Sequence, residues 1–262
     1  MAKKIVVTSG KGGVGKTTLT ANLGLALAKL GFSVVLIDTD FGLNNLDVVM
    51  NLENKVGYDL LDVLNGRCRP KQALVQDRNR KNLYILPSNS LNGSSGVSGQ
   101  HIKLVADNLS PMFDYMLLDC PAGIDLGFHR AVSCADSAIV VTTPQMSCLR
   151  DADKVISILN SYQLDKISLV VNRARGDLVV GGQMMSPYDI EGLLKTELVG
   201  VLPEEDSVFL SGGYCLPSSS DCYKAYKTLA NNIVKNTKKI FDVTNKYIGF
   251  FGSIRRSIKK NI

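Results

Sequence analysis

The stretch from Gly10 to Thr18 carries the clearest chemistry in the 262-residue sequence. It satisfies the pattern G-x-x-x-x-G-K-[ST], whose glycines let backbone N–H groups converge on anionic oxygens. In this pattern Lys16 reaches the β- and γ-phosphates of a nucleotide, and the Thr17 hydroxyl binds Mg²⁺. The predicted nucleotide-binding residues of this loop are Gly10, Lys11, Gly12, Gly13, Val14, Gly15, Lys16, Thr17 and Thr18.

The flanking residues place the loop between a strand and a helix. A β-branched apolar run, residues 5–8, precedes it. Leucines at helical spacing follow it: Leu19, Leu23, Leu27 and Leu30. Strand, glycine loop and helix together are the arrangement of a phosphate-binding loop, to which the helix adds its positive N-terminal end. A glycine-rich turn before an ordinary helix is the alternative, and the register of both elements favours the phosphate site.

Two later apolar runs end in carboxylates: one precedes Asp38 and Asp40, and the other precedes Asp119. Carboxylates at the C-terminal ends of parallel strands face the ligand crevice of such a sheet. We expect one of Asp38 and Asp40 to hold a magnesium-bound water and the other to orient the attacking water, unless the pair only forms a turn. Asp119 is expected to hold Mg²⁺ through a water or through the Thr17 hydroxyl.

Lys11 is a second lysine that an ordinary phosphate-binding loop does not need. Because the loop wraps closely around its own phosphates, Lys11 could reach a nucleotide held by a second copy of the chain; a solvated side chain is the alternative. Four strings of the sequence resemble the MinD/ParA class of P-loop ATPases, which has a deviant Walker A motif. They are K-G-G-V-G-K-T-T at 11–18, G-L-N-N-L-D at 42–47, L-L-D-C-P-A-G-I at 117–124 and L-V-G-V-L-P-E at 198–204.

The resemblance covers the whole chain and implies an ATPase that uses ATP and Mg²⁺. It implies that Lys11 acts across an ATP-sandwich homodimer and that Asp40 positions the attacking water, so the predicted catalytic residues are Lys11, Lys16 and Asp40. Asn44 stands where the family usually has an arginine, which puts a partner contact of that arginine in doubt. The residues implied near the adenine base are Asn172, Arg173, Pro203 and Glu204. The Asn172 amide offers the donor and the acceptor that adenine's edge needs.

Apolar strand-like runs alternate with helical patterns along the chain. The alternation predicts an α/β fold, a doubly wound, mostly parallel sheet of about five or six parallel strands flanked by helices. Residues 57–76 are expected to be helical, and the Ser-, Asn- and Gly-rich residues 88–99 are expected to form a mobile loop. The N-terminus enters the first strand at once, which predicts no targeting peptide and a protein of the cytoplasm or of a plastid stroma.

The six cysteines include no C-x-x-C pair, so the sequence gives a metal cluster little support. An iron–sulfur scaffold, with Cys120 and Cys134 paired against those of a second copy, is an alternative from another class of protein. Most of the cysteines are expected to be small, reduced, apolar residues.

The C-terminal tail, residues 246–262, holds five basic residues and no acid, which leaves +1 of the net charge of +6 for residues 1–245. We therefore divide the chain into an ATPase domain, 1–245, and this tail. On a helical wheel the tail has an apolar stripe about 80° wide with cations on the other side, which predicts an amphipathic membrane-surface helix. The expected membrane-binding residues are Tyr247, Phe250, Phe251, Ile254, Arg255, Ile258 and Lys259.

Gly249 and Gly252 each cost about 1 kcal/mol in a helix, so the free tail is expected to be disordered. A terminal helix packed on the domain is the alternative. Cations without an apolar stripe would suffice for phosphate contacts, so the stripe weighs against DNA, and we expect no nucleic acid partner.

The leading hypothesis is an ATPase that dimerises with ATP, cycles on and off an anionic membrane surface and positions the division site of a cell or plastid. Its expected place is the inner face of the plasma membrane or of a plastid inner envelope. The resemblance implies a MinE-type activator and, in many systems, a MinC-type inhibitor. A DNA-partitioning ATPase of the ParA type is the second hypothesis.

Overall fold

An eight-stranded sheet forms the centre of the molecule in the computed structural model, which describes residues 1–41, 45–88 and 96–260, with side chains up to residue 257. The strands are β1 Lys3–Thr8, β2 Val34–Asp38, β3 Val75–Gln76, β4 Leu83–Leu86, β5 Tyr115–Asp119, β6 Ser137–Thr142, β7 Lys166–Ala174 and β8 Leu198–Pro203. Their spatial order is β3-β4-β2-β5-β1-β6-β7-β8, and all neighbours run parallel except β3 and β4. The doubly wound α/β fold is confirmed. The described sheet has seven parallel strands, more than the predicted five or six.

Helices connect the strands. The α-helices are α1 Lys16–Lys29, α2 Leu46–Val49, α3 Leu60–Leu64, α4 Gly99–Leu109, α5 Leu126–Val132, α6 Met146–Leu159, α7 Gly176–Val180, α8 Pro187–Leu194, α9 Asp206–Leu210, α10 Asp221–Lys235 and α11 Gly249–Lys260. Short 3₁₀ helices span Glu53–Lys55, Pro70–Ala73, Ser110–Met112 and Asn245–Tyr247. Across the part of the chain that the structure describes, none of these helices has both the length and the apolar character needed to cross a membrane.

The core lies on both faces of the sheet, as alternation along β1 illustrates. Ile5 and Val7 pack into one apolar cluster with helix α1, whereas Val6 packs into the cluster on the other face. Successive side chains of a strand point to opposite faces, so a strand buried on both sides has no polar alternation. This explains why the continuous apolar runs of the sequence locate the strands well.

The expectation of helix over residues 57–76 is only partly correct. Asp59 caps α3, its side chain accepting a hydrogen bond from the Asp62 N–H at 2.9 Å. The helix ends within two turns because Gly66, at φ +73°, continues in a conformation that a helix does not use. The 3₁₀ helix and β3 follow. Asn44 and most of the loop predicted over 88–99 lie outside the described residues, as do the side chains of Ile258 and Lys259.

The tail also differs from its predicted disorder, because α11 forms a helix in the structure. Gly252 permits this by close packing: a Cβ there would lie 2.2 Å from the backbone carbon of Tyr247. Tyr247 itself is buried, at 7% exposure, and so does not belong to the exposed apolar stripe in this conformation. A helical wheel assigns Tyr247 to that stripe because it contains no information about packing on the domain.

The C-terminal ends of the parallel strands lie at the same edge of the sheet, and the predicted site residues lie at this edge. β1 ends at Thr8 before the glycine loop, β2 at Asp38 and β5 at Asp119. β7 and β8 end at Ala174 and Pro203, next to the other predicted residues. This edge is therefore the one to inspect for function.

Candidate nucleotide site

The loop between β1 and α1 has the backbone conformation that its glycines predict. Gly13 and Gly15 have φ of +77° and +97°, which residues with a side chain rarely adopt. Gly15 directly precedes α1, so the N-terminal end of the helix faces the loop. Lys16, the first residue of α1, is 9% exposed; burial lowers the pKa of its ammonium, and the charge of Asp119 acts in the opposite direction. The loop thus combines backbone donors, a helix N-terminus and a cation.

The first half of the loop packs against α6. A Cβ on Gly10 would lie 2.3 Å from the backbone oxygen of Asp151, so only glycine allows this approach. The Lys11 ammonium donates a hydrogen bond to the Ser147 hydroxyl at 3.2 Å, and the Ser9 hydroxyl donates to the Lys11 carbonyl at 2.8 Å. Lys11 is therefore held at the exposed rim of the site, beside α6.

Two carboxylates meet where β2 and β5 end. Asp38 and Asp119 are register partners on these neighbouring strands and are 1% and 3% exposed. Burial raises the pKa of Asp119 to about 6, although a hydrogen bond from the Thr17 hydroxyl opposes the shift. Burial and the charge of Asp119 raise the pKa of Asp38. Both shifts express the cost of holding a negative charge away from water, and the shift of Asp38 also includes repulsion by Asp119.

A divalent cation would remove that cost, and hydroxyl and carboxylate oxygens are the ligands that Mg²⁺ prefers. The residues present therefore fit Mg²⁺. Thr17, Asp38 and Asp119 would hold the ion directly or through water, and the ion would supply charge stabilisation to the phosphoryl group.

Asp38 has a further function that the sequence does not reveal. Its carboxylate accepts hydrogen bonds from the backbone N–H of Asp40 at 2.9 Å and of Leu46 at 3.3 Å. The Ser88 hydroxyl donates to the carbonyl of Asp40 at 3.1 Å. The backbone of Asp40 is thus fixed from two sides by groups other than its own side chain.

Replacing Asp40 with alanine should therefore leave the backbone in place and remove only the carboxylate. We expect ATP binding to persist and single-turnover hydrolysis to slow by about a hundredfold or more, the usual scale for a group that positions or activates water. Asp40→Asn, which keeps the size and loses the charge, should be nearly as slow. Loss of ATP binding in both variants would place Asp40 in the metal site instead.

Two threonines that sequence reasoning missed fix Asp119. The Thr20 hydroxyl donates to the Asp119 carboxylate at 3.0 Å, and the Thr39 hydroxyl donates to its carbonyl at 2.6 Å. Thr20 lies one helical turn after Lys16 and so on the same face of α1. That spacing is the one signal that could have identified it.

A cavity of about 950 Å³ opens beside the second half of the loop. All four residues predicted near the base line it, together with Gly15 and Thr18 of the loop. Residues that the sequence did not associate with a nucleotide also line it: Arg175, Glu205, Asp206, Val208, Phe209, Gly212, Gly213, Cys222, Tyr226, Lys246 and Tyr247. A cavity of this size and position has room for the base and ribose of a nucleotide whose phosphates occupy the loop.

Asn172 connects the cavity to the loop. Its amide donates to the carbonyl of Val14 at 2.7 Å and accepts from the backbone N–H of Arg173 at 2.9 Å. One N–H and one lone pair of the amide remain, enough for a base edge. A Cβ on Gly15 would lie 2.4 Å from the Asn172 amide nitrogen, so glycine is needed there for packing as well as for its φ.

Cys120 and Cys134 are 1% and 2% exposed and lie within the core. Burial raises the pKa of Cys120 to about 12 and that of Cys134 to about 11. Iron–sulfur ligation needs accessible thiolates, so these two side chains suit core packing better than a cluster.

Comparisons with known proteins agree with this geometry. A family model described as an AAA domain matches residues 2–170. The septum site-determining protein MinD of Synechocystis is 49% identical over 211 residues, which is 80% of this chain and 79% of the relative. The MinC:MinD cell division protein complex of Aquifex aeolicus matches with a TM-score of 0.82 and 40% identity, covering 90% of this chain and 97% of that chain. MinD complexed with Mg-ADP from Pyrococcus horikoshii matches with a TM-score of 0.80 and 30% identity, covering 90% and 97%.

The fold and the site define a P-loop ATPase of the deviant Walker A class. As an ATPase it acts on ATP, and the related MinD of Pyrococcus horikoshii is complexed with Mg-ADP. Within that class the chain belongs to the MinD family of septum site-determining proteins. It is an ATPase that positions the division site.

Proposed function

We propose that the chain positions the division site by cycling on a membrane surface. In this proposal an ATP-bound homodimer holds the membrane through two tails, and hydrolysis separates the dimer and releases it. The observation that carries the proposal is the exposure of the apolar side chains of the tail. Residues 1–245 would form the ATPase domain and residues 246–262 the membrane-binding segment.

The tail presents its apolar side chains to solvent. Ile248, Phe250, Phe251 and Ile254 are 61%, 77%, 78% and 45% exposed. The rings of Phe250 and Phe251 pack edge to face at 5.7 Å, so their described ring contact is with each other. Arg255 is exposed on the same helix. Exposed apolar area next to cations is the surface that a bilayer interface with anionic headgroups would cover.

A single tail should hold the membrane weakly. Each cation near an anionic surface contributes about 1 kcal/mol, and burial of each large apolar side chain contributes about 1.5–3 kcal/mol. Ordering of the chain opposes these terms at about 1–2 kcal/mol per residue, less for residues that are already helical. Two tails on one dimer make the second attachment intramolecular and raise the avidity by about 10²–10⁴. Nucleotide-dependent dimerisation would thus control membrane residence.

The rim position of Lys11 suits a contact across the dimer. Its ammonium needs only to leave the exposed Ser147 hydroxyl, a weak partner, to reach a nucleotide on a second copy.

The MinC:MinD complex of Aquifex aeolicus supports a MinC-type partner for this chain as well. A MinE-type activator would accelerate hydrolysis on the membrane.

Lys11→Ala should therefore bind ATP with nearly the affinity of the parent and fail to dimerise. Lys154→Ala is the matched control, because Lys154 is an exposed lysine that pairs with Asp151 of the same helix α6 at 3.7 Å. Sedimentation equilibrium with ATP and Mg²⁺ measures dimerisation of the two variants, and ATP titration measures their affinity for the nucleotide. Dimers of normal stability in Lys11→Ala would assign Lys11 to the solvated surface.

Co-sedimentation tests the proposal as a whole. The full chain should sediment with vesicles containing anionic lipids in ATP and stay in the supernatant in ADP. A parallel arm replaces the vesicles with DNA, which the chain should not bind. ATP-dependent DNA binding with a steep salt dependence, and no vesicle binding, would support the DNA-partitioning alternative instead.

A further inference from the structure

The start of the tail lies in the wall of the nucleotide cavity. We call the 3₁₀ helix Asn245–Tyr247 the tail root. Lys246 and Tyr247 of the tail root line the same cavity as Asn172, Pro203 and Glu204. Residues that the sequence assigns to the membrane-binding tail therefore face the space where the base and ribose would lie.

Ion pairing ties the tail root to the helix beside that cavity. The Lys246 ammonium lies 2.9 Å from the carboxylate of Asp221, the first residue of α10. The next residue, Cys222, donates its thiol hydrogen to the carbonyl of Pro203 at 3.1 Å. The Glu205 carboxylate accepts from the Cys222 N–H at 2.9 Å. One continuous set of contacts thus joins the tail root to the end of β8.

Tyr247 is fixed by close packing. A Cβ on Gly176 would lie 1.8 Å from the backbone oxygen of Val243 and 3.0 Å from the Tyr247 ring, so α7 begins directly against the tail root. The Lys246 ammonium lies 5.5 Å from the centroid of the Tyr247 ring. With Gly252 packed on the Tyr247 backbone, the first turn of α11 rests on the tail root.

We propose that Lys246 and Tyr247 contact the base or ribose of the bound nucleotide, and that this contact sets the position of the tail helix. A nucleotide would then order the first turn of α11 within one copy of the chain, before any dimer forms. Coupling of this kind is reciprocal: ordering of the tail root raises nucleotide affinity by the same factor by which the nucleotide favours the ordered tail root. The inference uses the proposed nucleotide site and does not depend on membrane binding.

Two lysines that pair with the same carboxylate make a matched test. Lys224 lies 3.0 Å from Asp221, as Lys246 does at 2.9 Å, but only Lys246 lines the cavity. Lys246→Ala should weaken Mg-ADP binding about fivefold or more in equilibrium titration, and Lys224→Ala should leave it unchanged. Equal effects in the two variants would reduce the role of Lys246 to its charge at Asp221 and overturn the proposal.

Hydrogen exchange distinguishes the proposed coupling from a purely structural role of Lys246, because a structural role would not make exchange depend on Mg-ADP. In the parent chain and in Lys224→Ala, Mg-ADP should slow exchange of the backbone amides of residues 245–252. In Lys246→Ala that protection should be lost even at saturating Mg-ADP. If the exchange rate of the backbone amides of residues 245–252 in the parent chain did not change with Mg-ADP, the coupling would be refuted. Neither measurement contains lipid, so absence of vesicle binding would count against the membrane proposal alone.

Discussion

Lys16→Ala should abolish ATP turnover. Lys16 is buried at the start of α1, and its charge interacts with that of Asp119. The other lysine of the loop, Lys11, points to Ser147 on α6 and cannot replace it from there. Removal of one preorganised charge-stabilising group typically lowers a rate by about 10²–10³. Here affinity for the β- and γ-phosphates should fall as well, so the total loss should be larger.

Steady-state phosphate release and ATP titration measure the two effects separately. Lys29→Ala is the control, because Lys29 lies at the other end of α1 over the Tyr223 ring, 4.5 Å from its centroid. It should keep the activity of the parent. Normal turnover in Lys16→Ala would mean that the glycine loop does not hold the phosphates.

Removal of residues 248–262 should abolish vesicle binding and leave ATP-dependent dimerisation intact. This truncation keeps Lys246 and Tyr247, the two residues proposed to contact the nucleotide. The expected loss follows from avidity. A dimer without tails has no membrane attachment, whereas a dimer with two tails binds the membrane about 10²–10⁴ times more tightly than a single tail does.

Phe251→Glu should lose most of the same binding in the full-length chain, because it places a carboxylate in the apolar stripe at a side chain that is 78% exposed. Ser253→Glu adds the same charge about 200° away on the helix and should retain much more binding. Equal losses in both variants, restored by low salt, would show that the tail acts through charge alone.

Local patterns predicted the parts of this molecule that depend on neighbours in sequence. The strands that end at Asp38 and Asp119 appear as continuous apolar runs because both faces of the sheet are covered, and the glycine loop needs only its own residues. The cavity is different, because Phe209 and Gly213, which lie on the segment between β8 and α10, line it together with residues that are distant in sequence. No periodicity in the sequence encodes that approach.

Tyr247 shows most clearly which features a sequence pattern cannot predict. Its helical-wheel position and its neighbours in sequence indicate an exposed tail, whereas its burial depends on Gly176, which is distant in sequence. The hydrogen bond from Thr20 to Asp119 is only partly predictable from the sequence. Its spacing from Lys16 is visible in the sequence, but its acceptor belongs to a strand about a hundred residues away.

The antiparallel strand β3 has a consequence for crowded copies of the chain. It covers β4 with only two residues, Val75 and Gln76, paired to Ile85 and Tyr84. A strand this short offers too few unpaired backbone groups to recruit a strand from another molecule, which is a common way for proteins to protect a sheet edge from aggregation. Copies of the chain brought close together would therefore not polymerise through this edge.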